Sequence, residues 1–159
     1  MTDATQGRDD LSFDVEVPDG WVVAGSSARG GSTLTITAPA DHGHVSTLTF
    51  DVYERNPDTA SDAIPRLHRA RVLELLDAMT DARLLDGIAE SHDGREGYRA
   101  TVVYRHGPYL VTAFVWTLAA PFGALAILGL TDSDRLGVDA TIFDAVLQSL
   151  RFASSGDQV

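Results

Sequence analysis

From Gly107 to Thr131 the chain carries no charged residue, and Leu110 to Leu130 is long enough to cross a bilayer as a helix. The middle of the run points elsewhere. Pro121, Phe122 and Gly123 form a helix-breaking cluster, and the residues before them are rich in β-branched and aromatic side chains. Taken as strands, Tyr109 to Leu118 and Gly123 to Leu130 form a hairpin through Ala119-Ala120-Pro121-Phe122. Apolar residues on both faces of both strands require a central pair that is covered on both sides. The expectation is paired β-structure inside a water-soluble body.

That body is one domain. A chain of 159 residues with 44% hydrophobic content can fill a real core. We expect a single domain over 11–153, with polar tails at 1–10 and 154–159. The net charge of −11 argues against a phosphate-binding surface, because nucleic-acid affinity rests on basic patches that displace counterions. Neither nucleic-acid binding nor membrane insertion is expected. With no cysteine, disulfides, thiolate chemistry and zinc–thiolate sites are excluded. Met1 to Asp10 lacks the basic and apolar regions of a signal peptide, so the expected compartment is the cytoplasm.

The two ends of the domain carry matching strand signals. In Phe13-Asp14-Val15-Glu16-Val17 the apolar residues share one face, and Pro18-Asp19-Gly20 then makes a turn that delivers Trp21. Ser149-Leu150-Arg151-Phe152 is the counterpart at the other end. Further strands are expected at Trp21–Ala24, Thr33–Ala38, Val45–Tyr53, Ala82–Glu90 and Tyr98–Arg105. Between them lie the turn-rich stretch Gly25–Ser32 and the polar loop Ser91–Gly97. A helix is expected over 61–79, with Pro65 confined to its first turn. Ile64, His68, Val72, Leu75 and Met79 line one of its faces, which should pack on the sheet. A second helix, over 138–148, should bury Ile142, Phe143, Val146 and Leu147.

This order of elements, from Phe-x-Val-x-Val-Pro-Asp-Gly-Trp through a mid-chain amphipathic helix, the Gly97-Tyr98-Arg99 strand and the apolar hairpin to a terminal helix ending Ser-Leu-Arg-Phe, resembles the PsbP-like superfamily. It is most similar to the bacterial branches typified by DcrB, the actinobacterial LpqN/LpqT-type lipoproteins and the Eag chaperones of type VI secretion effectors. The resemblance covers Ser12 to Phe152 and rests on packing motifs. It implies an α+β fold, an antiparallel sheet sandwiched by helices, in a family of binding, assembly or chaperone proteins that are mostly not enzymes. The chain departs from the lipoprotein branch in having neither a signal peptide nor a lipobox cysteine, so the soluble cytoplasmic branches are the better comparison.

Few constellations carry chemistry. His42 and His44, in Asp41-His42-Gly43-His44, project to the same side of an extended segment, but two ligands without a fixed third are weak grounds for a metal site. His68 sits in the apolar helix face and reads as a hydrogen-bonded core histidine, or as part of a ligand pocket between helix and sheet. No Gly-x-Ser-x-Gly elbow or separable Ser-His-Asp set is present. Arg66 and Arg69 point away from the apolar face beside Asp62, where intrahelical ion pairs are expected, and Leu73 shares that outer face.

The expected function is a non-enzymatic, cytoplasmic protein-binding module without a cofactor, a chaperone or assembly factor for a secreted or membrane-associated partner. Tyr104, Tyr109, Phe114 and Trp116 are expected to form an aromatic sheet surface that buries an apolar or transmembrane segment of a secreted effector. Homodimerisation through the same surface is a further expectation. The alternatives are a module for a small apolar ligand or lipid, held near His68, and a metal-dependent hydrolase using His42 and His44.

Overall fold

Alternating and doubly apolar strand patterns dominate the chain, and strand is what most of it forms. The computed structural model describes residues 2–3, 13–28, 31–39, 46–54 and 61–152. Strands β1 (Thr2–Asp3), β2 (Phe13–Asp14) and β3 (Glu16–Val17) precede a meander of β4 (Val22–Ala28), β5 (Gly31–Thr37) and β6 (Thr47–Glu54). Helix α1 (Ala63–Ala78) then carries the chain to the far edge of the sheet. From there β7 (Thr80–Ala89), β8 (Gly97–His106), β9 (Tyr109–Ala120) and β10 (Gly123–Asp132) return as a second meander until β10 pairs with β6. The result is one seven-stranded antiparallel sheet in the order β4-β5-β6-β10-β9-β8-β7. A short 3-10 turn, Ser133–Arg135, leads into α2 (Leu136–Ser149), and β11 (Arg151–Phe152) closes the chain.

The uncharged run is the β9–β10 hairpin, inside the sheet and covered on both faces. Its turn is tighter than expected. Ala120 pairs with Gly123, which leaves Pro121 and Phe122 as the two turn residues. Among the described residues no helix is long and apolar enough to cross a membrane.

Strand alternation sorts the sheet into two cores. Val111, Ala113 and Val115 of β9 face α1 together with Ala100, Val102 and Tyr104 of β8. On the other face Trp116, Leu118, Leu125 and Ile127 join Leu34, Ile36, Leu48 and Phe50 beneath Phe143 and Val146 of α2. The fold is therefore a helix–sheet–helix sandwich. Phe13, Val15 and Val17 lie in this second core while Asp14 and Glu16 are exposed, as the alternation predicts. The chain ends meet: Phe13 pairs with Phe152 and Asp14 with Arg151, and the Glu16 N–H donates to Ser149 Oγ at 2.8 Å.

Four details differ from expectation. Within the turn-rich stretch expected there, Gly25–Ala28 and Gly31–Ser32 are strand, because β4 and β5 pair as far as Ala28 and Gly31; small residues are tolerated there since the ladder satisfies their backbone groups. The Ser91–Gly97 segment contains a two-residue hairpin turn at Asp93 and Gly94, with φ of 50° and 75°, the type I′ geometry that matches strand twist. Thr2 and Asp3, within the expected tail, pair with Val17 and Glu16. Finally, β7 begins at Thr80, and its pairing with β8 shifts register twice, with Asp81 at φ 53°. Such bulges blunt a free edge against pairing with another sheet.

Candidate functional site

The two helices cover opposite faces at offset positions. Helix α1 packs on β7, β8 and β9, so among the described residues no helix packs on the same face of β4 and β5 or extends over most of β6. Thr33, Thr35 and Thr37 of β5 project there beside Thr47 and Thr49 of β6, each half-buried. The alternation Thr-Leu-Thr-Ile-Thr is the reason: leucine and isoleucine enter the core, and β-branched threonine suits a solvated strand face. Thr33 Oγ1 donates to Asp51 Oδ1 at 2.7 Å, and the Thr35 and Thr49 hydroxyls lie 3.5 Å apart.

A cavity of about 340 Å³ opens along the seam between this threonine face and α1. Leu75, Met79, Val115 and Leu128 form its apolar walls, while Asp51 and Glu74 supply acidic groups. Tyr53, 42% exposed, stands at its rim.

Arg71 lines the same cavity and is bound tightly to the sheet. Its Nη1 donates to the Trp116 carbonyl and, at 2.8 Å, to Thr117 Oγ1, and its Nη2 donates to the Ile127 carbonyl at 3.0 Å. Burial pushes the guanidinium pKa down to about 10, against the pull of Tyr53, Asp51 and Glu74, so it stays charged at neutral pH. Arg71 thus pins α1 to the two central strands. Nothing local in the sequence marks this role, although the position is three residues after His68 and four before Leu75, within the apolar stripe.

His68 is on the same helix face but lines no cavity among those described. Its Nδ1 is 2.9 Å from Thr117 Oγ1, and its ring stacks on Tyr98 at 5.6 Å. Because Arg71 donates to the Thr117 oxygen, the Thr117 hydroxyl can donate to an unprotonated Nδ1. Burial, with the Arg71 charge second, holds the His68 pKa below its usual value. The unfolded chain therefore takes up this proton first, and stability falls as pH drops below about 6.5 toward the lower folded pKa. Urea unfolding at a series of pH values should show that loss between roughly pH 7 and 5, with a shallower slope in His68→Gln. Equal slopes would refute the assignment.

The four aromatic residues expected to form one surface do not do so. Tyr104 and Tyr109 face α1, and burial raises the Tyr104 phenol pKa. Phe114 and Trp116 lie on the opposite face, stacked on each other at 5.5 Å beneath α2, and Trp116 is 3% exposed. The cause is strand alternation: Tyr109 and Phe114 are an odd number of residues apart and must point to opposite sides. His42 and His44 lie outside the described residues. Among the described residues no group of three or more His, Cys, Asp or Glu could hold a metal ion. Arg66 pairs with Asp62 at 3.8 Å as expected, and Leu73 is exposed.

The fold is similar to that of PsbP. Among the solved structures that match this fold are three with the following likeness. PA94 of Pseudomonas aeruginosa, a protein of unknown function, is 14% identical with a TM-score of 0.63, covering 89% of this chain and 92% of the other. LpqN of Mycobacterium tuberculosis, involved in cell envelope biogenesis, is 18% identical with a TM-score of 0.58, over 92% and 88%. The cyanobacterial PsbP of Synechocystis is 19% identical with a TM-score of 0.59, over 89% and 86%. These are likenesses of fold. No family model and no curated protein matches the sequence.

Proposed function

We propose that the chain is a non-enzymatic binding module whose open sheet half and adjoining α1 cleft receive a segment of a protein partner. The observation that carries this is the offset of α1, which among the described residues leaves a half-buried threonine face without helical cover beside a cavity with apolar walls and an acidic rim. Threonine hydroxyls and the cavity walls together suit an extended segment that places one aliphatic side chain between Leu75 and Leu128. Asp51 and Glu74 outnumber Arg71, whose donors are turned to the sheet, and so favour a lysine or arginine beside that side chain, and the net charge of −11 attracts such a segment from a distance. The partner in this proposal is a secreted or membrane-associated protein, for which the chain acts in assembly or as a chaperone; LpqN, which has a similar fold, is involved in cell envelope biogenesis.

Selection of a random displayed peptide library against the protein tests this. Enriched peptides should pair an aliphatic residue with an adjacent lysine or arginine and bind less tightly as salt rises. Glu74 is exposed, so Glu74→Lys should leave the fold intact and weaken these peptides by about tenfold, as expected for a lost and then reversed charge contact. Peptides without basic residues, or indifferent to Glu74→Lys, would count against the proposal. A small apolar ligand is the second reading; the same cavity, rather than one at His68, is where it would sit, and its volume is near the lower end of ligand sites.

A further inference from the structure

A second cavity, of about 270 Å³, lies on the other face of the sheet where β8 meets α2. Arg99 sets its character. Among the described residues the Arg99 Nε is buried without a hydrogen-bond partner, and the ion pair of the guanidinium, from Nη1 to Glu90 Oε1, is 3.7 Å long, too far for a hydrogen bond. Arg71 on the opposite face spends its donors on the sheet backbone. Among the described residues the Arg99 Nη groups have no hydrogen-bonded acceptor, and they border a partly enclosed space, an arrangement that favours an incoming acceptor group.

The rest of the lining restricts what that acceptor belongs to. Glu90 and Asp144 border the same space, so two acids stand against one guanidinium. His92 is already engaged, its Nε2 lying 2.9 Å from the Leu150 carbonyl. A simple anion would meet the two acids, and a simple cation would meet Arg99. A molecule that carries a carboxylate and an ammonium on neighbouring atoms satisfies both. Trp116, Leu118 and Leu147 provide an apolar floor for a small side chain.

We propose that this cavity binds an aliphatic α-amino acid as its zwitterion. The ligand carboxylate accepts from the Arg99 Nη groups, and its ammonium donates to Glu90 and Asp144. The site is independent of the cleft beside α1.

Titration of the isotope-labelled protein with L-leucine, valine and isoleucine, followed at the Arg99 Nε–H resonance, tests it. A saturable shift is expected. Isocaproate and isoamylamine, which each keep one of leucine's two charged ends, should bind at least about tenfold more weakly, the worth of one charge-assisted hydrogen bond. Glu90→Gln should weaken leucine and strengthen isocaproate, because it removes an ammonium partner and a carboxylate repulsion together. Arg99→Gln should abolish both. Absence of a saturable shift with all three amino acids, isocaproate as tight as leucine, or unchanged selectivity in Glu90→Gln would overturn the proposal. The Glu90→Gln reversal decides the matter even if Arg99→Gln fails to fold.

Discussion

Replacing Phe143 by alanine is expected to lower the free energy of unfolding by about 4 kcal/mol, within the range seen when a buried phenylalanine is truncated. Phe143 is fully buried on α2, with its ring edge-on to Trp21 at 6.3 Å and to Phe114 at 6.2 Å. Its floor is Gly129 of β10. A β-carbon there would come within 3.0 Å of the ring, so the strand has no side chain where α2 places its largest one. Alanine at 143 would leave a cavity whose wall is a β-sheet already paired on both sides, which cannot collapse to fill it. The measurement is chemical denaturation, with a lower midpoint and an unchanged slope. Val138→Ala, on the same helix but 60% exposed, should change stability by less than about 0.5 kcal/mol. A Phe143→Ala loss below roughly 1 kcal/mol would mean that α2 does not pack as described.

Asp139→Ala should cost about 3 kcal/mol, by a different mechanism. Asp139 is completely buried in the first turns of α2, and its Oδ2 accepts from Thr131 Oγ1 at 2.6 Å and from the Ser46 hydroxyl. Arg135 approaches the same oxygen at 3.7 Å. These contacts tie α2 to the end of β10 and to the residue that enters β6. Alanine would remove the acceptor the two buried hydroxyls share, leaving Thr131 the Asp132 carbonyl at 3.1 Å and Ser46 the Thr131 oxygen at 3.5 Å, and an acidic group would be lost from the helix amino terminus, where it is favourable. The signature is non-additivity. Once Asp139 is alanine, Ser46→Ala should cost little, whereas in the wild-type background it should cost about 1 kcal/mol or more. Strict additivity of the two substitutions would show that the contact does not operate.

Much of the scaffold could be read from local pattern. Pro121-Phe122-Gly123 broke an otherwise helix-length apolar run, and the structure has its hairpin turn there. The alternation in Phe13 to Val17 assigned each side chain to its observed side, and Ser149 to Phe152 met it as the partner end. Other signals were present and went unused. Asp93-Gly94 is a strong two-residue hairpin signal inside what looked like a polar loop. The odd spacing of Tyr109 and Phe114 already placed them on opposite faces, so a single surface through all four aromatic residues was never available. Arg71 was legible only in part: helical spacing placed it in the apolar stripe, but nothing local showed which carbonyls it would meet.

The residue pattern alone therefore settled what each segment becomes and which side chains share a face, because helix and strand periods are properties of the backbone. Only the tertiary structure decided which face each helix covers and how far along the sheet it lies. That offset depends on contacts between residues distant in sequence, such as Arg71 with Ile127, Phe143 with Gly129 and Ser46 with Asp139. Both cavities follow from it, one beside α1 where the threonine face lacks helical cover among the described residues and one beneath α2 where Arg99 finds no hydrogen-bonded acceptor among them. Their lining residues come from helices and strands far apart in the chain, and no local periodicity brings such residues together.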